Sequence, residues 1–142
     1  GNEVLNALLY EKQREFQEAE IALIVDINPS LLQNIDPVHL ITIFGNAIEN
    51  AAEAVTGLEK KDRVIRIGVR GRGEWSVIRF ENPYAGELKW EEGALKSTKL
   101  QPQGHGRGLR SIDFVVRQLD GAMTIRAREG LFILNILLPS SE

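Results

Sequence analysis

Two asparagines stand four residues apart in a segment whose apolar spacing predicts a helix. Residues 40–55 read LITIFGNAIENAAEAV, with Gly45, Asn46 and Asn50 in the middle. Glycine and asparagine form helices poorly, and together they cost roughly 2 kcal/mol relative to alanines. At about 100° per residue, Asn46 and Asn50 project from one face, opposite the apolar side. Paired amide oxygens suit Mg²⁺, which also keeps water and phosphate oxygens as ligands. A solvated polar face is the alternative interpretation.

A glycine-rich stretch precedes another helical pattern. Residues 97–112 read STKLQPQGHGRGLRSI. Glycines let backbone N–H groups approach a phosphate closely, and the N-terminus of a helix favours negative charge. The pattern therefore indicates a phosphate site, with a flexible turn as the alternative. It is neither a dinucleotide fingerprint nor a P-loop, because no strand pattern precedes it and GxxxxGK[ST] does not occur.

The polar segment before these glycines, about residues 83–105, is long for a compact domain. Loops of this length are usually functional or disordered. The segment contains Trp90, Lys96 and Lys99 together with glycines, a mixture that suits a lid over a phosphate ligand. Its content of Gln, Gly, Lys and Ser predicts that the lid is mostly disordered without nucleotide.

The elements that position these residues follow from the apolar periodicity. It predicts an amphipathic helix over about residues 1–20, and Asp36 followed by Pro37 predicts the start of the asparagine helix. A third helix is predicted from about Gly106 to Leu119, and five segments read as short strands. The order α-β-α-β-β-loop-α-β-β predicts an α+β, two-layer α/β sandwich. Its sheet is mixed, mostly antiparallel, of about five strands, with three helices on one face.

The composition excludes several classes of function. The 142 residues carry a formal net charge of -3, which argues against a nucleic-acid binder that works through a basic surface. The chain has no cysteine, so neither a disulfide nor a cysteine zinc site is available. No apolar run approaches the ~20 residues that span a bilayer. We therefore expect no nucleic-acid partner and no direct membrane contact by this domain.

Together these motifs resemble the GHKL ATP-binding fold, or Bergerat fold, of histidine kinases and DNA gyrase. NAIENAAEA is similar to the N box of that family, and GHGRGL is similar to its second glycine box. STK followed by GHGRGLRSI is most similar to the catalytic domains of peptide-sensing kinases of the AgrC/ComD type. The resemblance covers essentially the whole chain. It implies a helix over residues 1–20 that leaves a dimerisation hairpin outside this chain. Residues 21–142 are then the catalytic domain, with the lid at about 83–105.

The resemblance implies a role for each matching residue. Asn50 is the expected main Mg²⁺ ligand, assisted by Asn46, and both are expected to be catalytic. Asn82 is expected to accept a hydrogen bond from the adenine amine. The other expected nucleotide-binding residues are Thr98 and Lys99 in the lid and, around the second glycine box, Gly104, His105, Gly106, Gly108 and Leu109. ATP and Mg²⁺ are the expected cofactors.

One departure from the family concerns adenine recognition. The first glycine box of the family, DxGxG, is NPYAG over residues 82–86 here, so an asparagine replaces the aspartate. An amide oxygen still accepts a hydrogen bond from the adenine amine, but without charge assistance. We therefore expect adenine recognition with modest affinity.

The resemblance implies phosphoryl transfer to a histidine. GHKL hydrolases place a general-base glutamate four residues before the metal asparagine, where this chain has Asn46. Glu49 is the nearest substitute base. The two histidines, His39 and His105, lie outside any acceptor motif, so no autophosphorylation is expected from this chain alone. The acceptor is expected on an upstream dimerisation domain of the same protein.

The expected whole protein is a bacterial membrane-anchored sensor kinase, homodimeric at full length, with this domain in the cytoplasm and a response regulator as partner. Two alternatives remain from the sequence. One is a nucleotide-responsive or degenerate GHKL scaffold that works by contact with a partner, which the altered first glycine box favours. The other is a GHKL anti-sigma serine kinase, although those usually keep the intact DxGxG box.

Overall fold

A computed structural model describes residues 3–85, 90–91, 94–95 and 105–140 of the chain. Its helices are α1 (Glu3–Ala19), α2 (Pro37–Thr56) and α3 (His105–Gln118). Its strands are β1 (Ala22–Ile27), β2 (Val64–Arg72), β3 (Trp75–Pro83), β4 (Trp90–Glu91), β5 (Ala94–Leu95), β6 (Ala122–Arg128) and β7 (Leu131–Pro139). Short 3₁₀ turns cover Pro29–Leu32 and Lys60–Asp62. In the described part of the chain, no helix is both long enough and apolar enough to cross a bilayer.

Five strands form one sheet in the order β1-β2-β3-β7-β6. The pair β1 and β2 is parallel, and the other three neighbouring pairs are antiparallel. The parallel pair needs a crossover, which α2 supplies, whereas the antiparallel pairs β2–β3 and β6–β7 need only tight turns. The loop between β6 and β7 has φ of 55° at Glu129 and 79° at Gly130, as a two-residue hairpin turn requires.

The core lies between one face of this sheet and the helices. Alternate residues of β7 are buried, at Phe132, Leu134, Ile136 and Leu138, because side chains on a strand alternate between the two faces. The predicted α+β sandwich, with its mixed and mostly antiparallel sheet of five strands and its three helices, is confirmed. The strands β4 and β5 pair separately and lie inside the predicted lid.

The helix α2 is central to this core, because it contacts both other helices and the sheet. Asp36 caps it by accepting a hydrogen bond from the backbone N–H of Val38 at 2.9 Å, and Pro37 stands at the first helical position. The rings of Phe44 on α2 and Phe80 on β3 meet edge to face, with centroids 5.2 Å apart. The apolar side of α2 is thereby fixed against the sheet, which determines where its polar side points.

Candidate nucleotide-binding site

The two asparagines of α2 lie at the border between its buried and its exposed side. Asn46 and Asn50 are both half-buried, whereas Glu49 and Glu53 are exposed. Ala47 and Ala51, which follow the asparagines directly, are buried in the core. The small alanines let α2 pack closely while the amides emerge at its edge, so the pair does share one accessible face as the spacing predicts.

A hydrogen bond fixes the orientation of the Asn46 amide. Its Nδ2 donates to the backbone carbonyl of Thr42 at 2.8 Å. Because the nitrogen is bound back to the helix, the oxygen is the atom that remains for other groups. Thr42 stands four residues before Asn46, a spacing that the sequence shows. The sequence analysis nevertheless did not predict that Thr42 takes part in the site.

The contact between α2 and α3 is made at Asn46. A β-carbon placed on Gly108 would lie 3.4 Å from Asn46 Oδ1 and 3.7 Å from Asn46 Cβ. The first turn of α3 therefore lies beside the amide oxygen, at a distance where an added β-carbon would just make van der Waals contact. The structure thus joins two motifs that are about sixty residues apart in the chain, the N box and the second glycine box.

This junction has the chemistry to hold an anion and a cation together. The first backbone N–H groups of α3 have no partner within the helix and favour negative charge. The amide oxygen of Asn46 beside them attracts a cation. In the described residues no three His, Asp or Glu side chains gather into a metal cluster. A metal here would therefore be held by neutral amide oxygens together with a phosphate, as the sequence predicts for Mg²⁺.

Asn82 occupies a buried position at the end of β3. Its side chain is 2% exposed, and its Nδ2 donates to the backbone carbonyl of Pro83 at 2.8 Å. This bond engages a hydrogen of the amide nitrogen, and the amide oxygen is the atom that can accept a hydrogen bond from an adenine amine. Burial strengthens such a hydrogen bond, because it removes competition from water.

The remaining predicted residues divide into two groups. His105 and Gly106 begin α3, and Leu109 is 6% exposed and belongs to the core. Leu109 therefore anchors the helix start, and its contact with nucleotide stays a prediction. Thr98, Lys99 and Gly104 lie outside the described residues, so their predicted roles also stay predictions.

His39 lies in the first turn of α2 and is half-buried. Its Nδ1 is shielded from solvent and has no hydrogen-bond partner among the described residues. A phosphoacceptor nitrogen must be accessible to the γ-phosphate. An imidazole has a second ring nitrogen, so the expectation that the acceptor lies elsewhere stays a prediction.

Comparison with known proteins identifies the family. The GHKL domain model matches residues 35–139, which include the asparagine pair, Asn82 and the glycine-rich stretch. The chain belongs to the GHKL family. Sensor protein CitS of Bacillus subtilis (strain 168) is 27% identical over 142 residues, which cover 97% of this chain and 26% of CitS. The chain therefore spans about a quarter of the length of this relative.

Solved structures of histidine kinases share the fold of this GHKL domain. The catalytic domain of histidine kinase ThkA, in a nucleotide-free form, superposes with a TM-score of 0.71 and 17% identity, covering 99% of this chain and 95% of that one. Full-length ShkA in complex with AMPPNP has a TM-score of 0.71 and 15% identity, covering 97% and 29% of the two chains. Acinetobacter baumannii histidine kinase AdeS has a TM-score of 0.69 and 13% identity, covering 98% and 64%. The predicted GHKL domain and its predicted fold are confirmed.

Proposed function

We propose that this GHKL domain binds ATP with Mg²⁺ and transfers the γ-phosphoryl group to a histidine on a dimerisation domain outside this chain. The observation that carries the proposal is the contact between Asn46 and Gly108, 3.4 Å from the amide oxygen to a β-carbon position. It sets a cation ligand beside a helix start that favours phosphate. The membership of the GHKL family and the AMPPNP held by ShkA support ATP as the nucleotide.

Each side chain then has a positioning task. The oxygen of Asn82 accepts a hydrogen bond from the adenine amine, while its nitrogen donates to the Pro83 carbonyl. Asn46 and Asn50 orient the phosphates, and their amide oxygens would hold Mg²⁺, which would supply positive charge beside the transferred group. The backbone at the start of α3, together with Gly104, Thr98 and Lys99, encloses the phosphates. Catalysis rests on positioning and electrostatics, as is usual for phosphoryl transfer.

Phosphoryl transfer is favoured over hydrolysis by the same geometry. The residue four positions before Asn50 is Asn46, whose amide cannot accept a proton and whose nitrogen is bound to the Thr42 carbonyl. Glu49, the nearest carboxylate on α2, is exposed, so water rather than a buried substrate surrounds it. A general base is therefore lacking at the position that GHKL hydrolases use.

We place this domain in a larger sensor kinase, because CitS is named a sensor protein and is about four times longer than the matched region. Residues 1–20 lead from the dimerisation hairpin, and residues 83–105 are the lid. The full protein is a membrane-anchored homodimer with the kinase domain in the cytoplasm, and it passes the phosphoryl group to a response regulator. Its place in the peptide-sensing AgrC/ComD branch rests on the motifs alone.

Calorimetric titration of ATP, with and without Mg²⁺, tests the proposal on Asn50→Ala. We expect Mg²⁺-dependent binding that weakens at least about tenfold in this variant. The matched control is Asn6→Ala, which makes the same change at an exposed position of α1. Equal affinity in both variants would contradict the role of Asn50. Absence of binding in the unmodified chain would instead favour the non-catalytic scaffold.

A labelling experiment tests where the phosphoryl group goes. Incubation with γ-labelled ATP should leave this chain unlabelled, because neither His39 nor His105 lies in an acceptor motif. Labelling of His39 or His105 would contradict the proposed acceptor domain. Labelling of a serine would favour the anti-sigma serine kinase.

A further inference from the structure

The five-stranded sheet has a second face that the helices do not cover. On β2, Ile65, Ile67 and Val69 point into the core. Arg66 and Arg70 therefore point outward, and Gly68 stands at the outward position between them. The same alternation applies on β1, β3, β6 and β7. The outward positions form the surface that we call the outer face. Its arginines are Arg66, Arg70, Arg72, Arg79, Arg126 and Arg128.

Positive charge is concentrated on this outer face. Against the six arginines stand two outward carboxylates, Asp26 and Glu81, which leaves a formal excess of four positive charges. The chain as a whole has a formal net charge of -3. Arg79 pairs with Glu81 at 3.2 Å. Among the described residues no carboxylate lies within ion-pair distance of Arg66 or Arg70. Such separation of charge directs association with an oppositely charged partner.

The outer face is also concave. A groove of about 850 Å³ crosses it. Gly68 lies on the strand between Arg66 and Arg70, and it is paired with Asp26 on one side and with Arg79 on the other. Because Gly68 has no side chain, it leaves space at the bottom of the groove, and the side chains of the neighbouring arginines form its walls.

Apolar side chains form part of the floor of the groove. Val77 and Leu137 are half-buried, line the groove and face each other across β3 and β7. Ile24, 44% exposed, lies at the side of the groove on β1. The groove therefore combines apolar side chains with arginines around them.

We propose that the outer face binds an acidic amphipathic helix of a partner protein. Helices are the elements that usually cover the face of a sheet. The apolar side of such a helix would rest on Val77 and Leu137, and its carboxylates would pair with Arg66 and Arg70, since arginine binds carboxylates through two parallel hydrogen bonds.

Two other polyanions fit this face less well. A nucleic acid or an anionic membrane presents dense phosphates, which Asp26 and Glu81 inside the groove would repel. A membrane surface is also too flat to enter a groove that has the width of a single helix. A helix can have neutral residues opposite these two carboxylates, because its charge varies from one residue to the next.

The site is independent of the nucleotide site. Asn46 and Asn50 belong to the helix layer, which packs on the inner face of the same sheet. Changes at Arg66 and Arg70 therefore leave the nucleotide-binding residues in place. ATP affinity serves as the measure that an altered outer face has not disturbed the fold.

The test measures binding of a synthetic, fluorescent, amphipathic peptide to the intact chain by anisotropy. The peptide is about 20 residues long, with leucines on one helical side and glutamates on the other. A second peptide has lysines in place of the glutamates. The variant is Arg66→Glu with Arg70→Glu. Its control is Arg14→Glu with Lys61→Glu, which makes the same change of net charge at exposed positions on α1 and beside β2.

We expect the glutamate peptide to bind and the lysine peptide not to bind. The outer-face variant should lose about tenfold in affinity and the control less than about twofold, with ATP binding equal in both. Backbone amide shifts on addition of the peptide should centre on β2, β3 and β7. Equal losses in the two variants, no binding of the glutamate peptide, or stronger binding of phosphatidylglycerol vesicles or duplex DNA than of the peptide would overturn the proposal.

Discussion

The two faces of the central sheet are built from the same strands and have opposite characters. The inner face of β3 presents Ile78 and Phe80, which are at most 1% exposed. The outer face of the same strand presents Arg79, whose side chain is 49% exposed. Neighbouring residues of β3 therefore have different roles. One stabilises the fold, and the next contributes to the charge of the outer face.

The difference shows where a polar residue has a function. Polar side chains of the outer face, such as Arg66 and Arg70, are exposed to solvent. Among the described residues the buried polar side chains are Ser76 and Asn82, both on the inner face of β3. A buried amide costs free energy unless it is hydrogen-bonded. Asn82 therefore stands out as a candidate for function on the inner face.

Truncation of an inner-face aromatic should have the largest effect. Phe80→Ala removes a ring that is 1% exposed and that meets Phe44 at 5.2 Å. We expect a loss of about 3–5 kcal/mol in the free energy of unfolding, because burial is lost and a cavity remains. Urea denaturation followed by circular dichroism measures it. A loss below about 1 kcal/mol would mean that the two faces contribute more similarly to the free energy of unfolding than their burial indicates.

Restoring the aspartate of the family at Asn82 should lower stability in the absence of nucleotide. In Asn82→Asp, the Pro83 carbonyl would face a carboxylate in place of the amide that donates to it at 2.8 Å. We expect a loss of about 1–3 kcal/mol.

Thermal unfolding with and without ATP and Mg²⁺ measures this effect. Nucleotide should stabilise the variant more than the unmodified protein, because a carboxylate binds the adenine amine with charge assistance. Glu81→Gln, on the outer face beside it, is the matched control and should change little. Unchanged stability of Asn82→Asp without nucleotide would contradict the buried hydrogen bond.

Gly45→Ala should stabilise the protein slightly. A β-carbon at Gly45 would meet no atom within 4 Å, so packing does not require glycine there. Alanine should gain up to about 1 kcal/mol from helix propensity. Chemical denaturation measures the gain, and ATP titration shows whether the site is affected. A loss of ATP affinity with a gain in stability would show that this glycine serves the ligand rather than the fold.

The smallest effect is expected on the outer face. Arg79→Ala removes the exposed ion pair with Glu81, and we expect a change within about 0.5 kcal/mol in the free energy of unfolding. The measurement is the same urea titration as for Phe80→Ala. A loss as large as that of the neighbouring phenylalanine would show that the outer face contributes to the core.

Much of the fold was predictable, because its elements follow from local patterns. The cap at Asp36, the apolar side of α2 and the strand alternation all act over a few residues, and the three helices and five main strands agree with them. The paired strands β4 and β5 inside the predicted lid were not predicted. Each is two residues long, too short for a periodic pattern to show.

The candidate site was predictable in part. The types and spacing of Asn46, Asn50 and Gly108 indicated the chemistry. The bond from Asn46 to Thr42 and the buried bond of Asn82 were missed, because rotamers depend on packing. The outer arginines were not predicted to form a site, because their alternation along separate strands does not reveal that they surround one groove.

By itself the sequence determined the kind of elements, the family and the residue types of the site, because these depend on composition and on spacing along the chain. The tertiary structure decided which distant residues meet. It placed Gly108 against Asn46, and it gathered arginines from β2, β3 and β6 on one surface. The physical reason is that strand order and helix packing are set by burial of the whole core, which no local stretch of sequence specifies.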